Sequence, residues 1–297
     1  MSWLFRHSFG ILFGRMCLRG IGQIYLVPSA VAGMVLLAAL AWQSWTLAGA
    51  CLLGALTGTV WGLAVGDADS RMGLDGYNGA LTGLGMMIVL PSGMLAWSLV
   101  VLLACGATWG ARIWRRCSLV PPYTAPFVVT IWGLMAVVTA LDLPRAAVTG
   151  AVDVGWGETA QGLLRGVGQV MFLDDPRAGG LCVLGLMLGA PGAALSAMLA
   201  AGLGLLLAHG AGFPADAISL GLYGFNAVLT AEALRTAQPP GWKMWLWPCL
   251  GVLLSLLWMR GFQWLEVPSL TAPFLLSTWM VRWLAQRCID RCVGYLS

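Results

Sequence analysis

Two threonines, Thr124 and Thr271, occupy the same place in two copies of one proline-rich segment, residues 120–127 and 267–274. Both copies begin with Val-Pro and end with Thr-Ala-Pro-Phe, and they lie 147 positions apart. Proline has no backbone N–H and pushes the residue before it out of the helical region, so neither segment can be ordinary helix. Carbonyl groups are then left free, and within a membrane this is tolerated only in protein or beside a wet cavity. Each segment therefore predicts a row of acceptor oxygens with a threonine hydroxyl at its middle.

A second repeated motif, Gly-Leu-x-Gly-aromatic-Asn, occurs at 73–78 and again at 221–226. Its glycines allow close backbone approach at a helix start, and its asparagine can cap that start or bond to freed carbonyls. A leucine follows the aromatic residue by four positions, on the same helical face. These positions hold Tyr77, Asn78 and Leu81 in the first copy and Phe225, Asn226 and Leu229 in the second. The pattern predicts a flat slot between aromatic and leucine side chains that admits a planar molecule.

The third repeated motif, Arg-Gly-x-Gly-Gln, covers residues 19–23 and 165–169. Its glutamines, Gln23 and Gln169, lie in apolar stretches that should be only partly helical. A buried amide without partners costs about 1–3 kcal/mol. We therefore expect each amide either to face a pore or to bond to freed carbonyls.

The composition is that of an integral membrane protein, since 59% of the residues are hydrophobic, 9% are charged and the mean hydropathy is +0.84. Soluble domains carry about 25% charged residues. The spans should be helices, because the alternation typical of a membrane β-barrel is missing from the sequence. Basic residues are scattered at span ends, which argues against nucleic-acid binding. The sequence pattern provides no metal-ligand cluster and no nucleophile beside a base, so we expect neither a cofactor nor an enzyme.

Ten apolar spans are predicted, five in each half of the chain. They cover roughly 28–46, 47–66, 73–90, 93–111, 124–141, 178–191, 192–210, 219–234, 244–260 and 271–285. Each half also opens with a stretch interrupted by polar residues, 8–27 and 158–174, which predicts a partial or tilted helix.

The distribution of positive charge predicts the orientation of these spans. With the N-terminus in the cytoplasm, 12 of the 16 Lys and Arg residues fall on the cytoplasmic side, as the positive-inside rule requires. Ten spans return the C-terminus to the same side. Because five is odd, the second half enters from the opposite side. The prediction is an all-α membrane protein built from two inverted repeats, 1–150 and 151–297, with a pore between the halves.

The centres of almost all predicted spans are free of charge, although an ionisable residue there is the usual mark of ion or proton coupling. This favours passive passage of a neutral solute. Rows of oxygen acceptors suit a solute rich in N–H donors, and a slot between apolar side chains suits a planar one. Urea has both properties. The alternative is a channel for an amide analogue, ammonia, water or glycerol. A third hypothesis, an enzyme or an assembly scaffold, is not favoured by these residues.

At these motifs the chain resembles the urea transporter family, whose signature Leu-Pro-x-x-Thr-x-Pro-Phe occurs once in each half. Here Val120 and Val267 replace the leucines. The resemblance implies a homotrimer in the inner or plasma membrane, with one urea pore per subunit, surrounding lipid and a filter of outer, middle and inner sites. The middle site that the resemblance implies contains Thr124 and Thr271 beside Leu81 and Leu229. The slots on either side are lined by Tyr77 and Phe225, with Leu74 and Leu222 close by. The mouths are lined by Gln23, Ile24, Gln169 and Val170.

Two residues depart from the family pattern. Some members carry Glu at the position of Gln169, so the outer mouth here should be uncharged. Tyr77 stands where phenylalanine is often found, and its hydroxyl could narrow or wet the slot. Either change could alter which amide passes best.

Overall fold

The computed structural model describes residues 2–66, 68–146, 156–238 and 243–294. Within these ranges there are thirteen α-helices, three short 3-10 helices and no strand. The prediction of an all-helical protein is confirmed. In the first half the helices are α1 (Ser2–Gly22), α2 (Ala30–Gln43), α3 (Trp45–Ala64), α4 (Gly76–Val89), α5 (Met94–Cys117) and α6 (Ala125–Ala140).

The second half repeats this order. Its helices are α7 (Trp156–Gly168), α8 (Pro176–Gly189), α9 (Pro191–Gly210), α10 (Ala215–Ser219), α11 (Phe225–Arg235), α12 (Lys243–Trp264) and α13 (Ala272–Gly294). The 3-10 helices are Gln23–Tyr25, Ala68–Met72 and Gln169–Met171. The repeat boundary near residue 150 lies outside the described residues and stays a prediction.

Local sequence explains where several helices begin. The hydroxyls of Ser29 and Ser44 accept hydrogen bonds from backbone N–H groups in the first turns of α2 and α3. The carboxylate of Asp175 does the same for α8, and Pro176 follows at the first helical position. These are the residue types that satisfy the otherwise unpaired N–H groups of a helix start.

The backbone conformation repeats as well as the helix order. Leu26 and Phe172, which end the equivalent 3-10 helices, have left-handed φ values of 62° and 61°. Tyr123 and Leu270, inside the two proline-rich segments, both have a φ of 45°. Such values are uncommon for residues with a side chain. Their recurrence at matching places shows that the two halves share one unusual chain path.

Helix length and hydropathy together support fewer continuous crossings than the ten predicted spans. Among the described residues, four helices are long and apolar enough to cross a membrane, namely α3, α5, α9 and α12. A fifth crossing results if Phe9–Tyr25 and α2, bent by 75°, count as one. The helices α2, α4, α6, α8 and α11 have 11 to 16 residues, whereas about 20 are needed. The ten crossings and their inverted orientation therefore stay predictions.

The predicted span at 219–234 is not one continuous helix in the structure. Residues 219–234 are divided, because α10 ends at Ser219 and α11 begins at Phe225. Between them Gly221 has a φ of 75°, a conformation that interrupts a helix and that glycine adopts without strain.

Glycines bring the second and third repeated motifs into direct contact. A Cβ atom added to Gly73 would lie 2.4 Å from the backbone nitrogen of Gly20, and one added to Gly221 would lie 2.3 Å from that of Gly166. No side chain fits at such a distance. The close approach fixes the start of α4 against α1 and the equivalent segment of the second half against α7.

Candidate functional site

The two threonine hydroxyls at the middle of the repeated proline-rich segments contact each other. Thr124 Oγ1 and Thr271 Oγ1 are 2.7 Å apart and share a hydrogen bond, and both side chains are buried. The segments place them there because Thr124 directly precedes α6 and Thr271 directly precedes α13. A residue that contacts its own counterpart in the other repeat lies where a two-fold axis would pass.

Two tryptophans link the halves in the same reciprocal manner. The Trp132 indole N–H donates to the Pro268 carbonyl oxygen over 2.7 Å, and the Trp279 indole N–H donates to that of Pro121 over 3.0 Å. Each tryptophan thus bonds to the proline-rich segment of the opposite half. This exchange of equivalent contacts is the pattern of a two-fold interface, here within one chain.

The asparagines of the second motif hold the proline-rich segment of their own half. Asn78 donates its amide to the Tyr123 carbonyl oxygen over 3.2 Å and accepts from the Phe127 N–H over 3.3 Å. Asn226 makes the same pair of bonds to Leu270 and Phe274, over 3.2 and 3.0 Å. Of the two roles expected for these asparagines, the structure shows bonding to freed backbone groups. Cap positions at the starts of α4 and α11 are held by other residues.

Two cavities approach the threonine pair, one from each half. The first has a volume of about 450 Å³ and is lined by Gln23, Leu26, Leu74, Tyr77, Arg115 and residues 118–123. The second has a volume of about 210 Å³ and is lined by Phe127, Gln169, Val170, Phe172, Leu222, Phe225, Met259 and residues 269–271. Most lining positions are equivalent in the two repeats. Thr271 lines the second cavity, and Thr124 follows directly after the last residue that lines the first.

The glutamines of the third motif line these cavities and are oriented by the backbone. The Gln23 amide nitrogen donates to the Met72 carbonyl oxygen over 3.1 Å, and that of Gln169 donates to the Leu220 carbonyl oxygen over 3.2 Å. The expected bond to a backbone carbonyl is present and lies beside a cavity, while a role for these glutamines in a pore stays a prediction. In each glutamine the amide nitrogen can only donate, so the amide oxygen is the atom that can accept a hydrogen bond from a molecule in the cavity.

Charge distinguishes the two cavities. Arg115 lines the first and bonds to the buried Asp75 carboxylate, with Nη2 and Oδ1 2.8 Å apart. The Ser70 hydroxyl donates to the other carboxylate oxygen over 2.5 Å. Charged side chains are missing among the described residues that line the second cavity. The first cavity is therefore the more polar of the two.

Comparison with known proteins identifies the family. A family model described as urea transporter matches residues 15–286. The chain belongs to the urea transporter family.

Two relatives show how far this similarity extends. Urea transporter 1 of Ovis aries is 28% identical over 253 residues, which cover 78% of this chain and 65% of the relative. Urea transporter 1 of Mus musculus is 27% identical over 257 residues, with the same coverage. The chain thus spans 65% of the length of these two relatives. Family membership together with the apolar helices makes it an integral membrane protein.

In this urea transporter family member, eight of the fourteen residues predicted for the pore line the cavities. They are Gln23, Leu74 and Tyr77 in the first cavity, and Gln169, Val170, Leu222, Phe225 and Thr271 in the second.

The other six predicted residues are buried and do not line these two cavities. Ile24, Leu81 and Leu229 are packed in the apolar core. The remaining three are Thr124, Asn78 and Asn226, whose hydrogen bonds hold the proline-rich segments. Their roles in transport stay predictions.

Several lining and positioning residues were not predicted. Leu26 and Phe172 occupy equivalent places in the two cavities, and Trp132 and Trp279 tie the segments across the halves. Both pairs have the repeat spacing in the sequence, so comparison of the halves beyond the three motifs would have found them. Arg115 belongs to none of the three repeated motifs, so no signal in the sequence indicated its place at the first cavity.

Proposed function

We propose that this protein conducts urea passively and selectively across the membrane, as a channel and not as an enzyme. The observation that carries the proposal is the bonded Thr124–Thr271 pair together with two cavities lined by equivalent residues of the two halves. Both cavities combine an amide oxygen with apolar walls. This suits a small, planar, uncharged solute that must exchange water for protein acceptors.

In the proposed mechanism urea loses water stepwise. It enters a cavity and donates to the amide oxygen of Gln23 or Gln169. The aromatic ring of Tyr77 or Phe225, with Leu74 or Leu222 nearby, then provides an apolar wall that favours a flat solute over a hydrated ion. At the centre, each threonine hydroxyl has a further lone pair beyond those used in their mutual bond. Urea N–H groups bond to these oxygens as they pass, and no site holds urea tightly.

The same proposal includes the arrangement of the chain in the membrane. Residues 1–150 and 151–297 form inverted repeats about an axis in the membrane plane, with both termini in the cytoplasm. The reciprocal Trp–Pro bonds and the distribution of basic residues support this arrangement. The family resemblance adds a homotrimer in the inner or plasma membrane, with one pore per subunit. Native mass spectrometry of the purified protein tests the trimer.

The test of function is flux through the purified protein reconstituted in liposomes. We expect rapid urea efflux, slower passage of glycerol and methylamine, and no change of urea efflux under an inward proton gradient. Empty liposomes and liposomes containing an unrelated membrane protein are the controls. Urea efflux equal to that of the controls would contradict the proposal. Acceleration of urea efflux by the proton gradient would show that the protein is a coupled carrier and not a channel.

A further inference from the structure

The two halves differ at one hydrogen bond beside the cavities. In the first half the Tyr77 hydroxyl donates to the Tyr123 carbonyl oxygen over 2.6 Å. The equivalent of Tyr77 in the second half is Phe225, which has no hydroxyl to donate to the equivalent carbonyl, that of Leu270.

A carbonyl oxygen has two lone pairs, so this difference changes what each carbonyl can still accept. The Tyr123 carbonyl takes one bond from Tyr77 and a longer one, 3.2 Å, from the Asn78 amide. The Leu270 carbonyl takes the matching 3.2 Å bond from the Asn226 amide. The Tyr123 carbonyl therefore accepts from two protein donors. The Leu270 carbonyl accepts a side-chain bond from one donor in the described part of the chain and keeps a lone pair for another.

Both carbonyls belong to residues at the cavity walls. Tyr77 and Tyr123 line the first cavity, and Phe225 and Leu270 line the second. The matching left-handed backbone at Tyr123 and Leu270 gives the two carbonyls equivalent settings in the two proline-rich segments. The hydroxyl of Tyr77 is thus a donor in the place where a permeating N–H group would bond in the other half.

We propose that Tyr77 is a specificity-determining residue whose hydroxyl competes with the permeant for the Tyr123 carbonyl oxygen. This inference rests on the proposed urea conduction. The path then offers one acceptor fewer in the first half than in the second. For a solute with N–H donors on both sides, such as urea, the barrier to passage is therefore higher in the first half of the path than in the second half.

Urea and acetamide provide a matched pair of solutes. They are nearly equal in size and shape, but acetamide carries a methyl group in place of one amino group. An added acceptor favours urea over acetamide, because only urea can use acceptors on both sides at once. A simple widening of the slot favours both solutes alike.

The experiment compares the full-length protein with Tyr77→Phe and Phe225→Tyr in liposomes, measuring urea and acetamide permeability. We expect Tyr77→Phe to raise urea permeability about two- to tenfold, the effect of one net hydrogen bond on a barrier, and to raise the urea-to-acetamide ratio. Phe225→Tyr should lower that ratio, because it brings a competing hydroxyl to the Leu270 carbonyl. Tyr77→Phe should fold, since phenylalanine already occupies the equivalent position.

Tyr223→Phe is the matched control, because the Tyr223 hydroxyl donates to Gln263 over 2.9 Å and neither residue lines either of the two cavities described above. Its ratio should equal that of the unmodified protein. The inference is overturned if Tyr77→Phe leaves the ratio unchanged, lowers urea permeability, or shifts the ratio only as much as Tyr223→Phe does. Absence of urea flux through the unmodified protein would instead refute the proposed function itself. If Phe225→Tyr does not fold, the comparison of Tyr77→Phe with Tyr223→Phe decides.

Discussion

Trp132 donates its indole N–H to the carbonyl oxygen of Pro268, 2.7 Å away in the opposite half of the chain. The equivalent bond runs from Trp279 to Pro121. Each proline-rich segment is consequently held at its start by the other half, while an asparagine of its own half holds it further along. Both halves must therefore be in place before either segment takes its final position.

Replacement of both tryptophans by phenylalanine should impair transport more than it impairs folding. Trp132→Phe with Trp279→Phe removes two bonds worth about 1 kcal/mol each and frees the starts of both segments. We expect urea permeability in liposomes to fall about two- to tenfold, with a modest loss of thermal stability in detergent. Trp264→Phe is the control, since Trp264 is 82% exposed. Normal urea permeability in the double variant would show that these bonds do not position the path.

Valine at both threonine positions should weaken conduction with little change in shape. Thr124→Val with Thr271→Val removes the two hydroxyls that meet at 2.7 Å and leaves apolar atoms where urea would bond. We expect urea permeability about two- to tenfold below that of the unmodified protein. The elution profile in size-exclusion chromatography should be unchanged, which would show that the variant folds. Thr139→Val, an exposed position on α6, is the control. If the double valine variant conducts urea as well as the control, acceptor oxygens at the centre are not required.

The packing of α3 against α4 should not tolerate a single methyl group. A Cβ atom added to Gly54 would lie 2.0 Å from the Gly79 carbonyl oxygen. Gly54→Ala must separate the two helices, at a cost of about 1–3 kcal/mol. Gly106→Ala lies in α5, where no atom is within 4 Å of the added carbon. This substitution should instead raise the free energy of unfolding by about 0.5–1 kcal/mol.

Thermal unfolding in detergent, followed by tryptophan fluorescence, measures both glycine variants. We expect a lower midpoint for Gly54→Ala and an equal or higher one for Gly106→Ala. Equal midpoints for Gly54→Ala and the unmodified protein would mean that α3 and α4 are not in the close contact described.

Much of the candidate site could be predicted from the sequence because proline and glycine act locally. The prolines around Thr124 and Thr271 exclude a continuous helix whatever surrounds them, and the matching spacing of the motifs predicts equivalent places for both. The partners could not be predicted in this way. Asn78 could have capped its own helix, and the choice of the Tyr123 carbonyl depends on how α4 packs against a segment 45 residues away.

Leu81 and Leu229 illustrate the limit of helical periodicity. Their spacing from Tyr77 and Phe225 places them on the same helix face as these aromatic residues. Periodicity does not predict which part of the protein packs against that face. The structure packs both leucines in the core, each 1% exposed, while Leu26 and Phe172 join the aromatic residues at the cavities.

The amino-acid sequence by itself determined that the chain is a helical membrane protein with two equivalent halves, because apolar composition and backbone sterics are properties of the residues alone. Only the tertiary structure decided that Thr124 contacts Thr271 and that tryptophans bond across the halves. It also decided that a tyrosine hydroxyl donates to the Tyr123 carbonyl, whereas the equivalent Leu270 carbonyl has no such donor at the matching position. These contacts join segments far apart in the chain, and their geometry arises from the packing of helices between them.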